Sequence, residues 1–235
     1  MLATPVVARA LQVAANDSLS LSVVDLPIHE VPSHVAGRSL AILVTGDGGW
    51  VDADRGLARE LASNGLPVVA LDVRAYLRAA KRTPSTMAAD AERVIRHYSD
   101  AWQRDDVVLI GYSRGADVVP FIANRIGQDL RDRIALVALL GMSLRASFEF
   151  HWMDLLMESH RPTDLPVAPE LERLRGKRMI CIYGEDEKDS ACRGVERALV
   201  MPIQRSGSHR IHASDAEDLA SIILGALAPV AAAKP

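Results

Sequence analysis

The sequence predicts an α/β fold, a mainly parallel sheet with helices on both of its faces. Two observations carry this. Short runs that are apolar at nearly every position, such as SLAILV (39–44) and RIALVALLG (133–141), have the composition of strands buried on both sides. They alternate along the chain with longer amphipathic stretches that carry helix start and stop signals.

Taken in order, SLAILV (39–44) runs into a Gly-rich loop, TGDGGW (45–50). The stretch DADRGLARELASNG (52–65) reads as a helix closed by Gly65, and LPVVALD (66–72) as the next strand. A long helix follows over 85–102, entered through Pro84, a residue that suits the first helical turn. DVVLIG (106–111) is a strand, the segment 113–127 a helix ending at Gly127, and 133–141 another strand. RMICIYG (178–184) and a short run from Val200 to Gln204 complete the strands. The last helix is expected from Ser214, where Ser-Asp-Ala-Glu fits a capping box, through residue 227. The first thirty residues offer an antiparallel hairpin or edge strands. No repeat or linker divides the chain, so 1–235 reads as one α/β domain, with flexible ends at 1–17 and 229–235.

Bulk properties narrow the function classes. The 235 residues are 49% hydrophobic and 24% charged, enough for a sizeable core under a soluble surface. A net charge of -3 with no long basic run argues against nucleic acid as a partner. The apolar run from Ile134 to Gly141 is too short to span a bilayer. The opening MLATPVVARALQ lacks the charged and apolar regions of a secretory signal. Cys181 and Cys192 read on their own as two buried thiols, with a disulfide as the sharper alternative. No metal-binding spacing such as H-E-x-x-H occurs, so neither metal nor organic cofactor is expected.

The chemistry concentrates at one turn. Gly111-Tyr112-Ser113-Arg114-Gly115 matches G-x-S-x-G directly after a strand and before a helix, the context of a nucleophile elbow. A tight strand-to-helix turn without chemistry has the same pentapeptide. The elbow, however, predicts partners in the chain order serine, acid, histidine, and they are present. A serine hydroxyl needs a base, and the base needs an acid to fix its tautomer. His209, in the loop after the last strand, is the candidate base. His212, just before the final helix, suits the role less. The acidic loop GEDEKDS offers Glu187, three residues past Gly184, and Asp189 as competing acids. The remaining carboxylates there read as a solvated loop. By position the backbone N–H groups of Asp47 and Arg114 would form the oxyanion hole. With these partners the predicted fold sharpens to an α/β-hydrolase.

The segments TGDGGW, LDVRAYLRAAKRTP, VVLIGYSRGADVVPFIANRI, LLGMSLRASFEFH, CIYGEDEKDSAC and GSHR, in this order across 39–224, resemble the AcvB/VirJ virulence-protein family of Gram-negative bacteria. Two positions depart from it. Arg114 stands where the family commonly carries an aromatic residue, and Ser208-His209-Arg210 replaces a GHH-like turn. The resemblance implies a periplasmic serine carboxylic-ester hydrolase of aminoacylated phosphatidylglycerol, chiefly the lysyl form, acting at the membrane surface and linked to virulence. It also implies a secretion-system or other protein partner as the alternative role, in which the scaffold docks rather than catalyses; a hydrolase of another ester or thioester is a third. A periplasmic setting favours a Cys181–Cys192 disulfide pinning the acid-bearing loop. For a diamine acyl group, the Asp47 carboxylate is a candidate ammonium partner, and Asp117 a second, although a turn residue and a helix-dipole carboxylate are the ordinary readings of the two. Phe148, Phe150 and Trp152 are candidates for a small lid or lipid-facing lip, with core packing an equal reading. Trp50, at the end of the Gly-rich loop, is a further candidate pocket residue with an equally structural reading.

Overall fold

Near-continuous apolar strands need cover on both faces, and the structure provides it. The structure, a computed structural model, describes residues 22–150 and 161–228. The chain ends expected to be flexible, and Trp152, lie outside the described residues. In chain order the strands are β1 (Ile28–Val31), β2 (Ser39–Val44), β3 (Val68–Leu71), β4 (Asp106–Tyr112), β5 (Ile134–Leu140), β6 (Arg145–Ala146), β7 (Leu165–Pro166), β8 (Met179–Gly184) and β9 (Met201–Arg205). The helices are α1 (Asp52–Ser63), α2 (Val73–Ala79), α3 (Pro84–Trp102), α4 (Arg114–Arg125), α5 (Gln128–Asp132), α6 (Ala168–Arg173) and α7 (Ala216–Leu227).

Seven strands form one sheet in the order β1-β3-β2-β4-β5-β8-β9. All neighbours are parallel except β1, which pairs antiparallel with β3 through Ile28 opposite Leu71. Among the described residues of the first thirty, β1 supplies an edge strand; residues 1–21 lie outside them. The period of two along β2 decides which side each residue feeds. Leu40, Ile42 and Val44 join the layer under α3 and α4, with Met87, Ile95 and Phe121. Ala41 and Leu43 face α1 and α7, with Leu57, Leu61, Leu219 and Ile223.

Two local expectations change. The stretch after β3 is not mere connection: Asp72 accepts the Ala75 N–H at 2.9 Å and caps α2. The capping box expected at Ser214 is instead built by Asp215, whose carboxylate accepts the His212 N–H at 2.9 Å over a 3-10 turn (Ala213–Asp215). The final helix proper begins at Ala216. Parallel connections leave the C-terminal ends of β2, β4, β5, β8 and β9 on one edge, and the candidate residues gather there.

Candidate active site

The central strand β4 ends at Tyr112, and Ser113 turns the chain into α4 with φ 53° and ψ -120°. A non-glycine residue at positive φ is strained, and the tight packing around it holds it there. A Cβ at Gly115 would run into the Val44 carbonyl of β2, and one at Gly111 into the Gly115 backbone. Only glycines let strand and helix approach this closely.

His209 stands over that turn. Its Nε2 lies 3.0 Å from Ser113 Oγ and its Nδ1 2.8 Å from Glu187 Oε1. With Nδ1–H donating to the carboxylate, Nε2 is left to accept the serine proton. The second carboxylate oxygen of Glu187 accepts the Gly184 N–H at 3.2 Å, so both oxygens are fixed. The structure thus brings Glu187, and not Asp189, to the histidine. Asp189 is exposed on the same loop two residues further on, because the turn that bonds Glu187 N–H to the Gly184 carbonyl aims residue 187 inward.

Several residues that motif reading did not single out hold this arrangement. Gly141, at the end of β5 with φ +62°, lies under the His209 ring, where an added Cβ would be 2.8 Å from two ring atoms. The Tyr112 ring stacks on His209 with centroids 5.8 Å apart. Its hydroxyl donates to the His209 carbonyl at 3.4 Å and accepts from the Ile211 N–H at 3.3 Å. Burial pushes the Tyr112 phenol above its ordinary value, which keeps the donor protonated. Arg205 donates to the carbonyls of Ser206, Ser208 and Arg210 at 2.9, 3.0 and 3.3 Å, tying the histidine loop to β9. Arg193 does the same for the acid loop, with Nε donating to the Glu187 carbonyl at 2.8 Å. Its neighbour Cys192 is bonded to Cys181 of β8, Cα to Cα 5.4 Å, so this clamp is anchored covalently. An isolated arginine carries no sequence signature for such a role.

The Gly-rich loop packs on the serine: a Cβ at Gly46 would stand 3.2 Å from Ser113 Cβ. The buried Thr45 hydroxyl accepts the Val73 N–H at 3.0 Å, and Asp72 accepts the Trp50 N–H at 3.3 Å, fixing the loop at both ends. The Asp47 carboxylate forms an ion pair with the Arg114 guanidinium, which also donates to the Ser147 and Glu149 carbonyls. The carboxylate expected to meet a substrate ammonium is thus met by an arginine of the chain itself. Asp117 is buried and accepts the Ser143 N–H at 2.6 Å, so it holds the loop after β5 rather than facing a ligand.

The aromatic candidates fall elsewhere. Phe148 is 7% exposed and packs edge-on against Phe121 at 5.3 Å, which makes it core and not lid. Phe150 is partly buried, with the Arg78 guanidinium 5.4 Å over its ring. Trp50 stacks on His29 at 5.0 Å. None of the three lines the cleft beside His209, a cavity of about 530 Å³ walled by Met142, Leu144, Asp186, Glu187, Ser190 and His209 among others. Among the described residues no group of three or more His, Cys, Asp or Glu is placed to hold a metal ion, and no helix is long and apolar enough to cross a membrane.

Comparison with known proteins bears on the fold and the family. Among solved structures the chain is similar to the esterase EaEST from Exiguobacterium antarcticum, at 12% identity and a TM-score of 0.63, over 85% of this chain and 94% of that one. It is similar to MenH from S. aureus, at 14% identity and a TM-score of 0.62, over 85% and 97%. A thioesterase domain from the curacin biosynthetic pathway aligns at 17% identity and a TM-score of 0.57, over 84% and 94%. The fold is that of the α/β-hydrolases. No curated protein matches the chain in sequence. The family model described as bacterial virulence protein (VirJ) matches residues 38–230, most of the chain, and the chain belongs to that family.

Proposed function

We propose that this protein is a serine carboxylic-ester hydrolase that cleaves the aminoacyl ester of aminoacylated phosphatidylglycerol, the lysyl form foremost, to free amino acid and phosphatidylglycerol. The observation that carries the chemistry is the continuous relay from Ser113 Oγ through His209 to Glu187, at 3.0 and 2.8 Å. His209 Nε2 takes the Ser113 proton as Oγ bonds to the aminoacyl carbonyl carbon. The oxyanion forms beside the Asp47 and Arg114 backbone N–H groups, the latter at the first turn of α4, where amides point out of the helix end. The carbon–oxygen bond to glycerol then breaks, and His209 returns its proton to the departing oxygen. Water, deprotonated by the same histidine, releases the amino acid and restores Ser113.

The reading rests on membership of the VirJ family and on the aminoacyl-lipid hydrolysis that the resemblance of its motifs to the AcvB/VirJ proteins implies. The Cys181–Cys192 disulfide supports an oxidising compartment, the periplasm in a Gram-negative cell. Liposomes containing lysyl-phosphatidylglycerol, incubated with wild type and Ser113→Ala, provide the test. Free lysine from wild type alone is expected. If a fluorophosphonate probe labels Ser113 but no lysine appears, the substrate is wrong while the hydrolase stands. If folded protein is not labelled, the catalytic reading fails.

A further inference from the structure

The cleft beside His209 does not end at the acid loop. It shares Met142, Ser143, Leu144, Lys188, Asp189 and Ser190 with a second cavity, also of about 530 Å³. The shared part is a throat in which the polar residues Ser143, Lys188, Asp189 and Ser190 stand alongside Met142 and Leu144. Beyond it the walls turn mainly apolar, with Val167, Leu171, Ala191, Val195 and Leu199 outnumbering the carboxylates Glu172 and Glu196. Leu144 stands at the junction of the two, 66% exposed, a large apolar side chain left facing water where the passage opens.

Chemistry decides which half of an ester points this way. His209 must hand its proton to the leaving oxygen, so the alcohol half departs on the histidine side of Ser113. The first cavity lies on that side, since His209, Glu187 and Ser208 line it, and the throat leads on from it. We infer that the apolar chamber beyond the throat binds the hydrocarbon tail of the alcohol half of the ester, and that an alcohol long enough to traverse the throat is what this protein selects. The inference rests on the assignment of Ser113 and His209 as nucleophile and base. It adds that recognition lies in the leaving alcohol and places it against α6 and the 3-10 turn (Ala191–Gly194) that the disulfide anchors. An amphiphilic alcohol, polar near the ester and apolar further out, fits both parts of the passage.

The test uses acetate esters with alcohols from ethanol to octanol, and in parallel a series of ethyl esters whose acyl chain lengthens from acetyl to octanoyl. A fully buried methylene is worth roughly fourfold. Lengthening the alcohol is therefore expected to raise kcat/KM on the order of tenfold or more, with the rise beginning only once the chain passes the throat. Lengthening the acyl chain is not expected to reproduce it. Two variants narrow the chamber. A Cβ at Gly194 meets nothing within 4 Å and Ala168 is exposed at the start of α6, so Gly194→Trp and Ala168→Trp should fold, which a thermal melt verifies. In each the octyl-to-ethyl ratio, read within one variant so that overall activity cancels, should fall toward one. A flat alcohol series in wild type, with Ser113 still labelled by the fluorophosphonate, overturns the chamber and leaves the hydrolase intact. An octyl-to-ethyl ratio that survives both tryptophans overturns it as well. Loss of labelling in folded wild type brings down both readings together.

Discussion

Asp54 is 2% exposed on α1, where its carboxylate accepts the Val51 N–H at 3.2 Å and so borders the Gly-rich loop beside Ser113. Burial pushes its carboxyl up to about 6, and the nearby Asp72 carboxylate adds to the rise, against the lowering effect of the Val51 amide. The folded protein therefore holds this proton up to about pH 6, whereas the unfolded chain releases it near 3.8. Between those values the folded state binds more protons, and stability is lost as pH rises through the window, by about 3 kcal/mol for this group alone. Asn keeps an oxygen for the Val51 amide without the charge. Asp54→Asn is expected to raise stability at pH 8 by on the order of 1–3 kcal/mol and to flatten the pH dependence between 4 and 6. Urea unfolding at a series of pH values checks both, and an Asn variant no more stable at pH 8 would falsify the assignment. Gly141 makes a second demand on a single residue. Alanine there would face both φ +62° and a Cβ 2.8 Å from the His209 ring. Gly141→Ala should lower kcat roughly 10- to 100-fold by displacing the histidine, while costing only about 1–2 kcal/mol of stability. Ester turnover within twofold of wild type, in protein that still folds, would remove Gly141 from the site.

At the scale of elements, Arg205 makes more bonds to the histidine loop between β9 and α7 than Tyr112 does. The Arg205 guanidinium binds three loop carbonyls and, at 3.4 Å, the Asp215 carboxylate that caps the turn before α7. It touches no reacting atom, so its loss should act chiefly by misplacing His209. Arg205→Ala is expected to lower kcat about 10- to 100-fold with KM little changed. Arg205→Lys should recover only part, since a point ammonium cannot span several carbonyls. A change confined to KM would contradict the positioning role. These elements also show what the sequence could carry. The strands were legible because burial on both faces demands continuous apolar runs, and Ser113 because the elbow needs glycines at fixed offsets. Helix α2 was not, since VRAYLRA is short and its cap, Asp72, also looks like the end of a strand. The acid was legible only as a pair, Glu187 or Asp189, because the choice depends on how one turn aims its side chains. Arg205, Arg193 and Gly141 act through backbone carbonyls or through the absence of a Cβ, and neither leaves a pattern in a single sequence. For Asp47 and Phe148 the motif gave the place but not the neighbours, Arg114 and Phe121, so the choice between their two readings needed the structure.

Over the whole molecule, the disulfide links stability to the site. It closes eleven residues from Cys181, in the sheet, to Cys192, on the 3-10 turn beside Arg193, and Glu187 lies within that loop. Closing a loop of this length restricts the unfolded chain by roughly 3 kcal/mol in the chain-entropy account. For a domain of this size that corresponds to a fall of about 6–12 °C in melting temperature on reduction. The unfolded state is one place the bond acts; the folded acid loop is the other. Without the bond, the turn bearing Arg193 is held by non-covalent contacts alone, and the Glu187 carbonyl loses part of its fixed support. Cys192→Ser, or wild type under dithiothreitol, should therefore lose ester turnover at temperatures several degrees below its own unfolding, as the loop loosens first. Parallel melts followed by near-ultraviolet circular dichroism and by fluorophosphonate labelling separate the two events. Coincident loss of signal and labelling would mean that the bond serves the global fold alone; labelling that fails first ties it to the geometry of Glu187 and His209.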